Sequence, residues 1–286
     1  MNFPRILKKR KGYIDRIKPF MQKSVAKVLT GQRRVGKSFL LYQLIEEILA
    51  EEPDANIIYV NLEDFTFSSL QTAEDLHSYI ISHSKEKVKN YIFIDEIQDI
   101  PGFEKVIRSL LLNEDNDIYI TGSNAKMLSG ELATYLSGRY IEFKIYSLSY
   151  SEFLEFHGLT ESETSYELYS RYGGLPYLLN LPLEDETVNE YLKSVYSTIV
   201  FRDVVSRYKL RNTLFLEKLI QFLSENIGNL FSAKNISDYL KSQHTAISVN
   251  QIQSYTEYLN NAFLIHRVER YDLIGKRVFE IGEKYY

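Results

Sequence analysis

Cysteine is absent from the 286 residues, which removes disulfides, thiolate metal sites and cysteine nucleophiles together. Tryptophan is absent too, and proline and glycine number only 6 and 13, too few for a collagen-like or low-complexity chain. No apolar run approaches the ~20 residues needed to cross a bilayer, so no membrane partner is expected. Residues 1–7 run directly into Lys8-Lys9-Arg10-Lys11 without the apolar stretch of a signal peptide. A reducing cytoplasm is the expected location, and the missing cysteines are permissive of it.

What remains is the composition of a globular protein, 44% hydrophobic and 25% charged. The length suggests two domains, enough to bury a real core. The formal net charge of −4 conceals an asymmetry: residues 1–37 hold 12 Lys or Arg and one acid, a net of +11, and the remainder carries −15. A basic segment on an acidic body can meet its own surface, a phosphate ligand or nucleic acid. Self-contact and phosphate binding are favoured over nucleic acid.

Five short runs read as strands, at 25–30, 56–61, 91–95, 117–121 and 139–145. Three are nearly continuous apolar stretches, as in a parallel sheet covered on both faces. Helical patterns separate them at 38–49, 72–87, 103–112 and 124–136. The second opens with a capping box, Thr72 and Asp75, and the fourth ends at Gly138. This alternation predicts an α/β doubly wound core over 1–148. Ser149 and Glu152 form another capping box, whose helix closes at Gly158, and further helical patterns follow at 166–171 and 186–207. Residues 149–212 therefore read as a small helical lid. The segment 213–286 predicts three helices, at 215–226, 234–241 and 249–261, then a hairpin at 263–269 and 276–281. That arrangement resembles a winged helix-turn-helix.

Gly31-Gln32-Arg33-Arg34-Val35-Gly36-Lys37-Ser38 matches the phosphate-loop pattern in full, between a strand and a helix as the pattern requires. Glycines let successive backbone N–H groups point at phosphate oxygens, and the helix N-terminus adds partial positive charge. Lys37 is expected to reach the β- and γ-phosphates, and the Ser38 hydroxyl to ligate Mg²⁺. The expected nucleotide-binding set is residues 31–38 with Phe39. Arg33 and Arg34 lie within the loop, and their roles stay open.

Tyr91-Ile92-Phe93-Ile94 leads into Asp95 and Glu96, placing two carboxylates at the C-terminal edge of a buried strand, where open α/β sheets bind ligands. Asp95 suits the shell of Mg²⁺, and Glu96 is then placed to orient and deprotonate the attacking water. Between Lys37 and Asp95 lies a complete strand and helix, 56–87, which in sheet order places a strand between the loop strand and the acidic strand. By analogy this is the ATPase branch of phosphate-loop proteins, not the kinase or GTPase branch.

GQRRVGKS, YIFIDEIQ, ITGSN, LATYLSGRY, LSYSEF and GGLP, in that order, resemble the AAA+-like P-loop ATPases of bacteria and archaea. The resemblance covers essentially the whole chain. It implies an ATP-binding core with Mg²⁺, a helical lid, a winged helix and usually a restriction-endonuclease-like C-terminal domain. Residues 280–286 correspond to the run that leads into that last domain, so no nuclease activity is assigned. Lys37 and Ser38 match the family's first phosphate motif, and Asp95 and Glu96 its second. Asn124 falls at the polar sensor of the γ-phosphate, with Ser123 its rival, although either residue equally suits a plain helix cap. Arg139 stands near the position of an arginine finger that reaches a neighbour's nucleotide; an internal salt bridge is the equal alternative. A finger would make the active form an oligomer. Pro176, in Gly173-Gly174-Leu175-Pro176, resembles the proline of a Gly-x-Pro lid motif that packs near the adenine, where a simple helix stop is the alternative.

The helix 249–261 would be the recognition helix of the winged segment. It contains no Lys or Arg, and affinity for DNA comes mostly from basic contacts to phosphate. Arg267, Arg270, Lys276 and Arg277 are the basic residues of the hairpin. A protein contact is therefore favoured there over DNA. The leading reading is an ATP-binding and Mg²⁺-dependent ATP-hydrolysing switch. The alternatives are a nucleotide-gated module that recruits DNA or a protein with little turnover, and a sequence-specific DNA regulator.

Overall fold

The computed structural model describes residues 8–125, 136, 138–269 and 283–286. Most of the expected helix at 124–136, the expected strand at 276–281, and Arg270, Lys276 and Arg277 lie outside the described residues. The chain divides into two compact units, residues 1–193 and 194–286.

The first unit is built on five strands: β1 (Ala26–Thr30), β2 (Asn56–Asn61), β3 (Asn90–Asp95), β4 (Asn116–Gly122) and β5 (Tyr140–Lys144). Their order is β2-β3-β4-β1-β5, and every pairing is parallel. One strand does separate the loop strand β1 from the acidic strand β3. It is β4, while the inserted strand β2 forms the edge. The phosphate-loop NTPase core expected from the alternating pattern is present.

Alternation along the strands sends side chains to two separate cores. Ile92 and Ile94 face one side with Val28, Ile118 and Ile120, covered by α3 (Ala73–His83) and α4 (Phe103–Leu110) through Leu76, Ile80, Ile107 and Leu110. Tyr91 and Phe93 face the other side with Leu29, Tyr119 and Phe143, covered by α1 (Lys11–Ile17) and α2 (Lys37–Glu51). Phe93 and Tyr119 stack there with ring centroids 4.4 Å apart. Each fully buried aliphatic or aromatic side chain contributes roughly 1.5–3 kcal/mol, so the sheet's two-sided cover is its main stabilisation.

The capping box of α3 forms as expected, with Thr72 accepting from the Asp75 N–H. The helix closes at His83, earlier than the pattern suggested, where Ser84 turns extended and its hydroxyl donates to the Ile80 carbonyl. Much of the basic N-terminal charge is neutralised internally. Lys9 and Lys18 both pair with Glu47, at 2.6 and 2.8 Å, and buried Lys27 pairs with buried Asp117.

After β5 the first unit is helical. Helix α5 (Tyr150–His157) carries the Ser149–Glu152 capping box and ends at Gly158 in the left-handed region, φ 65°. Then come α6 (Glu163–Tyr172), a 3₁₀ turn (Pro176–Asn180) and α7 (Asp185–Thr198), which carries the chain into the second unit.

In that unit α7 gives way to a π-helical stretch, Ile199–Ser206, where the sequence pattern predicted a plain α-helix to 207. Three helices follow: α8 (Thr213–Glu225), α9 (Ala233–Ser242) and α10 (Val249–Asn261). Asn212, Ser232 and Ser248 cap them in turn. Of the expected hairpin, only Arg267–Val268 is a strand (β6) among the described residues. It pairs antiparallel with Lys284–Tyr285 (β7).

Candidate functional site

Residues 31–36 form the connection between β1 and α2. Gly31 has φ 152°, and a Cβ there would overlap the carbonyl oxygen of Ile145. Gly36, with φ 93°, precedes the first turn of α2, and a Cβ would lie 3.6 Å from Cγ of Pro176. Positive φ at both positions is conformational space in which glycine is favoured. The 15-residue helix α2 starts at Lys37, so its unpaired N-terminal amides and positive dipole end open at the loop. Lys37 is buried, and its Nζ donates to the carbonyls of Gly31 and Gln32 at 2.9 and 3.0 Å.

The register of the sheet brings the acidic pair to the same edge. Asn61 aligns with Asp95, and Thr30 aligns with Gly122, so β1, β3 and β4 end together. Asp95 is 1% exposed and accepts from the Ser38 and Thr121 hydroxyls and, at 3.4 Å, from the Tyr59 hydroxyl. Burial raises its carboxyl above the ordinary carboxylate range, against the opposing pull of the Ser38 and Thr121 hydrogen bonds.

Glu96 follows with φ 56° and ψ 45°, a left-handed conformation uncommon for a non-glycine residue. Its N–H donates to Thr121 Oγ1 at 2.9 Å, and its carbonyl accepts from the Asp99 N–H at 3.1 Å. The turn carries the Glu96 carboxylate to Lys37, with Oε1 3.7 Å from Nζ. Gln98 Nε2 donates to the other oxygen at 2.5 Å, the Ser123 hydroxyl donates as well, and Arg33 Nη2 lies 4.0 Å away. Burial by itself would raise the carboxyl; the charges of Lys37 and Arg33, with the Gln98 and Ser123 hydrogen bonds, outweigh it and hold Glu96 below its usual range.

The remaining expected residues fall in different places. Ser123 is buried against Glu96, and Asn124 follows it at 8% exposure. Val35 is buried in the core, Arg34 is exposed with φ 68°, and Phe39 is 48% exposed on α2. Pro176 sits beside Gly36, and the Gly174 carbonyl accepts from the Leu148 N–H at 2.7 Å. Arg139 is the outlier. It is exposed, and it precedes Tyr140, which aligns with Ala26 at the start of β1. That is the opposite end of the sheet from the loop, about 16 Å away at the rise of a five-residue parallel strand.

Sequence reasoning missed three contributors. Thr121 bridges both members of the acidic pair, Tyr59 reaches Asp95 from the edge strand, and Glu63 binds Arg33 at 2.8 Å. Thr121 lay inside the quoted ITGSN run, so its position at the end of an apolar strand was a signal. Glu63 and Tyr59 depend on β2 lying beside β3, which chain order did not reveal.

The residues present suit a magnesium nucleotide. The Ser38 hydroxyl and the Asp95 carboxylate are hard oxygen donors already hydrogen-bonded to each other, and Mg²⁺ takes few protein ligands, completing its shell with phosphate and water. Among the described residues no group of three or more His, Cys, Asp or Glu could hold a metal ion. No helix among the described residues is long and apolar enough to cross a membrane.

The fold and this loop define a phosphate-loop, nucleotide-binding protein. Residues 23–154 match the family profile AAA_14, an AAA domain, and residues 163–286 match a domain of unknown function, DUF8612. An uncharacterized protein of Haemophilus influenzae is 37% identical over 97% of this chain and 70% of its own length. A second, uncharacterized protein MJ1544 of Methanocaldococcus jannaschii, is 32% identical over 88% of this chain and 58% of its own length. The chain belongs to this AAA-domain family and is a nucleotide-binding AAA+-like protein. Among solved structures, the Aeropyrum pernix Orc1 protein in complex with DNA aligns over 99% of this chain and 90% of that one, at 14% identity and a TM-score of 0.44. The C. elegans PCH-2 structure aligns over 57% and 46%, at 18% identity and a TM-score of 0.35.

Proposed function

We propose that the protein is an ATP-hydrolysing, Mg²⁺-dependent molecular switch. The observation that carries this reading is the convergence of Ser38 with Asp95, and of Lys37 with Glu96, at one sheet edge. The amides of residues 31–36 and the start of α2 grip the phosphates, and Lys37 exchanges its carbonyl partners for phosphate oxygens. Ser38 and Asp95 would hold Mg²⁺, which when bound neutralises charge on the β- and γ-phosphates. Glu96 stays ionised at neutral pH and accepts a proton from the attacking water. Ser123 and Gln98 fix the direction of that carboxylate, and Asn124 is the candidate sensor of the γ-phosphate. Pro176 beside Gly36 supports a lid role for the helical segment expected at 149–212. Nucleotide titration with Mg²⁺, followed by phosphate release, tests the proposal. Tight binding with no turnover above background sinks the hydrolase and leaves a nucleotide-gated binder.

Arg139 serves no role at its own loop, being at the far edge of the sheet. Its exposure supports contact with a neighbouring subunit, and hence a homo-oligomer. The winged-helix reading of 213–286 favours a protein partner over DNA: the exposed residues of α10 include Asn250, Gln253 and Glu257, and none is basic. DNA binding that disappears when 213–286 is removed would reverse that preference.

A further inference from the structure

Arg10 lies outside every motif in the chain, yet it is 4% exposed. Its guanidinium has five N–H donors, and five acceptors meet them. Nε and Nη2 bind the two carboxylate oxygens of Glu152 at 2.8 and 2.9 Å. Nη1 donates to the carbonyls of Val35 and Tyr146 at 3.2 and 2.9 Å, and Nη2 reaches the Ser147 carbonyl at 3.4 Å. The Arg10 N–H also donates to Gln43 on α2 at 3.0 Å. One side chain therefore joins the phosphate loop, the exit from β5 and the first turn of α5.

Two of these partners bear on nucleotide. In a planar trans peptide the carbonyl and the next N–H point to opposite sides. Holding the Val35 carbonyl thus fixes the direction of the Gly36 N–H, one of the loop amides assigned to phosphate. Glu152 is the third helical residue of the α5 capping box, accepting from the N–H of the cap residue Ser149 at 2.9 Å. Lysine, a point charge with three donors, has no fork to reproduce this pattern.

We infer that Arg10 is a positioning residue that ties the aim of the phosphate loop to the seating of helix α5, so that a disturbance at either is felt at the other. The inference rests on the loop binding phosphate as proposed. Transmission requires the loop, Arg10 and Glu152 to behave as one unit, which a double-mutant cycle detects as non-additivity.

The test uses the full chain with Glu152→Gln, Arg10→Lys and the double variant. Glutamine retains an oxygen for the α5 cap, so Glu152→Gln is the milder change, and it decides the matter alone should Arg10→Lys fail to fold. Amide hydrogen exchange of residues 31–38 is read in nucleotide-free protein, and ATP affinity by titration. Glu152→Gln should speed loop exchange and weaken ATP about 5- to 20-fold, and neither effect should grow when it is added to Arg10→Lys. Unchanged loop exchange in folded Glu152→Gln, or fully additive effects, overturns the inference. A parent chain that binds no ATP overturns the proposed function instead, and the exchange readout still decides for or against Arg10.

Discussion

Oε1 of Glu96 stands 3.7 Å from Nζ of Lys37, so the cation of the loop and the carboxylate that follows β3 are already close to each other. Lys37 cannot be removed without leaving Glu96 short of a compensating charge. Lys37→Ala should therefore weaken ATP binding by at least about 30-fold and also destabilise the nucleotide-free protein by about 1–3 kcal/mol, the cost of an uncompensated buried group. Calorimetric titration and thermal melting read the two effects separately. Retained affinity would show that the loop does not grip phosphate.

Glu96→Gln keeps the shape of the side chain and removes its basicity. Binding should stay within about 3-fold of the parent, while the steady-state rate falls about 10²- to 10⁴-fold, the usual size of a general-base contribution. An unchanged rate of phosphate release would assign proton removal to another group.

Charges on Lys37 and Arg33 help hold Glu96 below the ordinary carboxyl value of 4.5. A depressed carboxyl is anionic throughout the neutral range, so the acid limb that Glu96 imposes on hydrolysis should lie below that ordinary value, apart from the limb imposed by Asp95, whose carboxyl burial raises. Arg33→Gln removes one of the lowering charges. Its acid limb should then move up the pH scale, and a pH–rate profile unmoved by the substitution would disprove the coupling.

Thr121 serves both acidic residues through one hydroxyl. Thr121→Val preserves volume but strands the Glu96 N–H and deprives Asp95 of a donor, at a cost of about 1–3 kcal/mol. The Mg²⁺ concentration needed for half-maximal activity should shift several-fold. Denaturant unfolding and a magnesium titration measure the pair, and a variant normal in both would leave Thr121 with no part in the site.

Arg139 at the far edge of the sheet makes a mixing experiment decisive. Arg139→Ala retains an intact loop, and Lys37→Ala retains an intact Arg139. If the arginine acts across subunits, combining the two weak variants should restore a measurable fraction of the parent's hydrolysis. A mixture no better than the sum of its parts argues for a role within one chain.

The parallel core was legible because three of its strands are nearly continuous apolar runs and helix α3 announces itself with the Thr72 cap, as Ser149 does for the helical segment that follows. The loop was legible because glycine spacing there follows from backbone geometry. Strand order was legible only in part: a strand between the loop strand and the acidic strand was expected, but that β4 fills this place and β2 the edge follows only from tertiary pairing. The partners supplied by Tyr59 and Glu63 went unseen with it. The π-helical stretch at 199–206 likewise leaves no mark on an apolar period near that of an α-helix. Arg10 was one cation among many, and only its burial beneath five acceptors sets it apart.

The neighbours of β1 come from segments made long after it, β4 from residues 116–122 and β5 from 140–144. A chain still being synthesised holds residues 31–38 with no paired strand on either side of β1, and Ile145, whose carbonyl closes over Gly31, is not yet in place. The cradle is thus completed only once the chain has emerged through residue 145, and ribosome-bound chains shorter than this span should be unable to retain nucleotide.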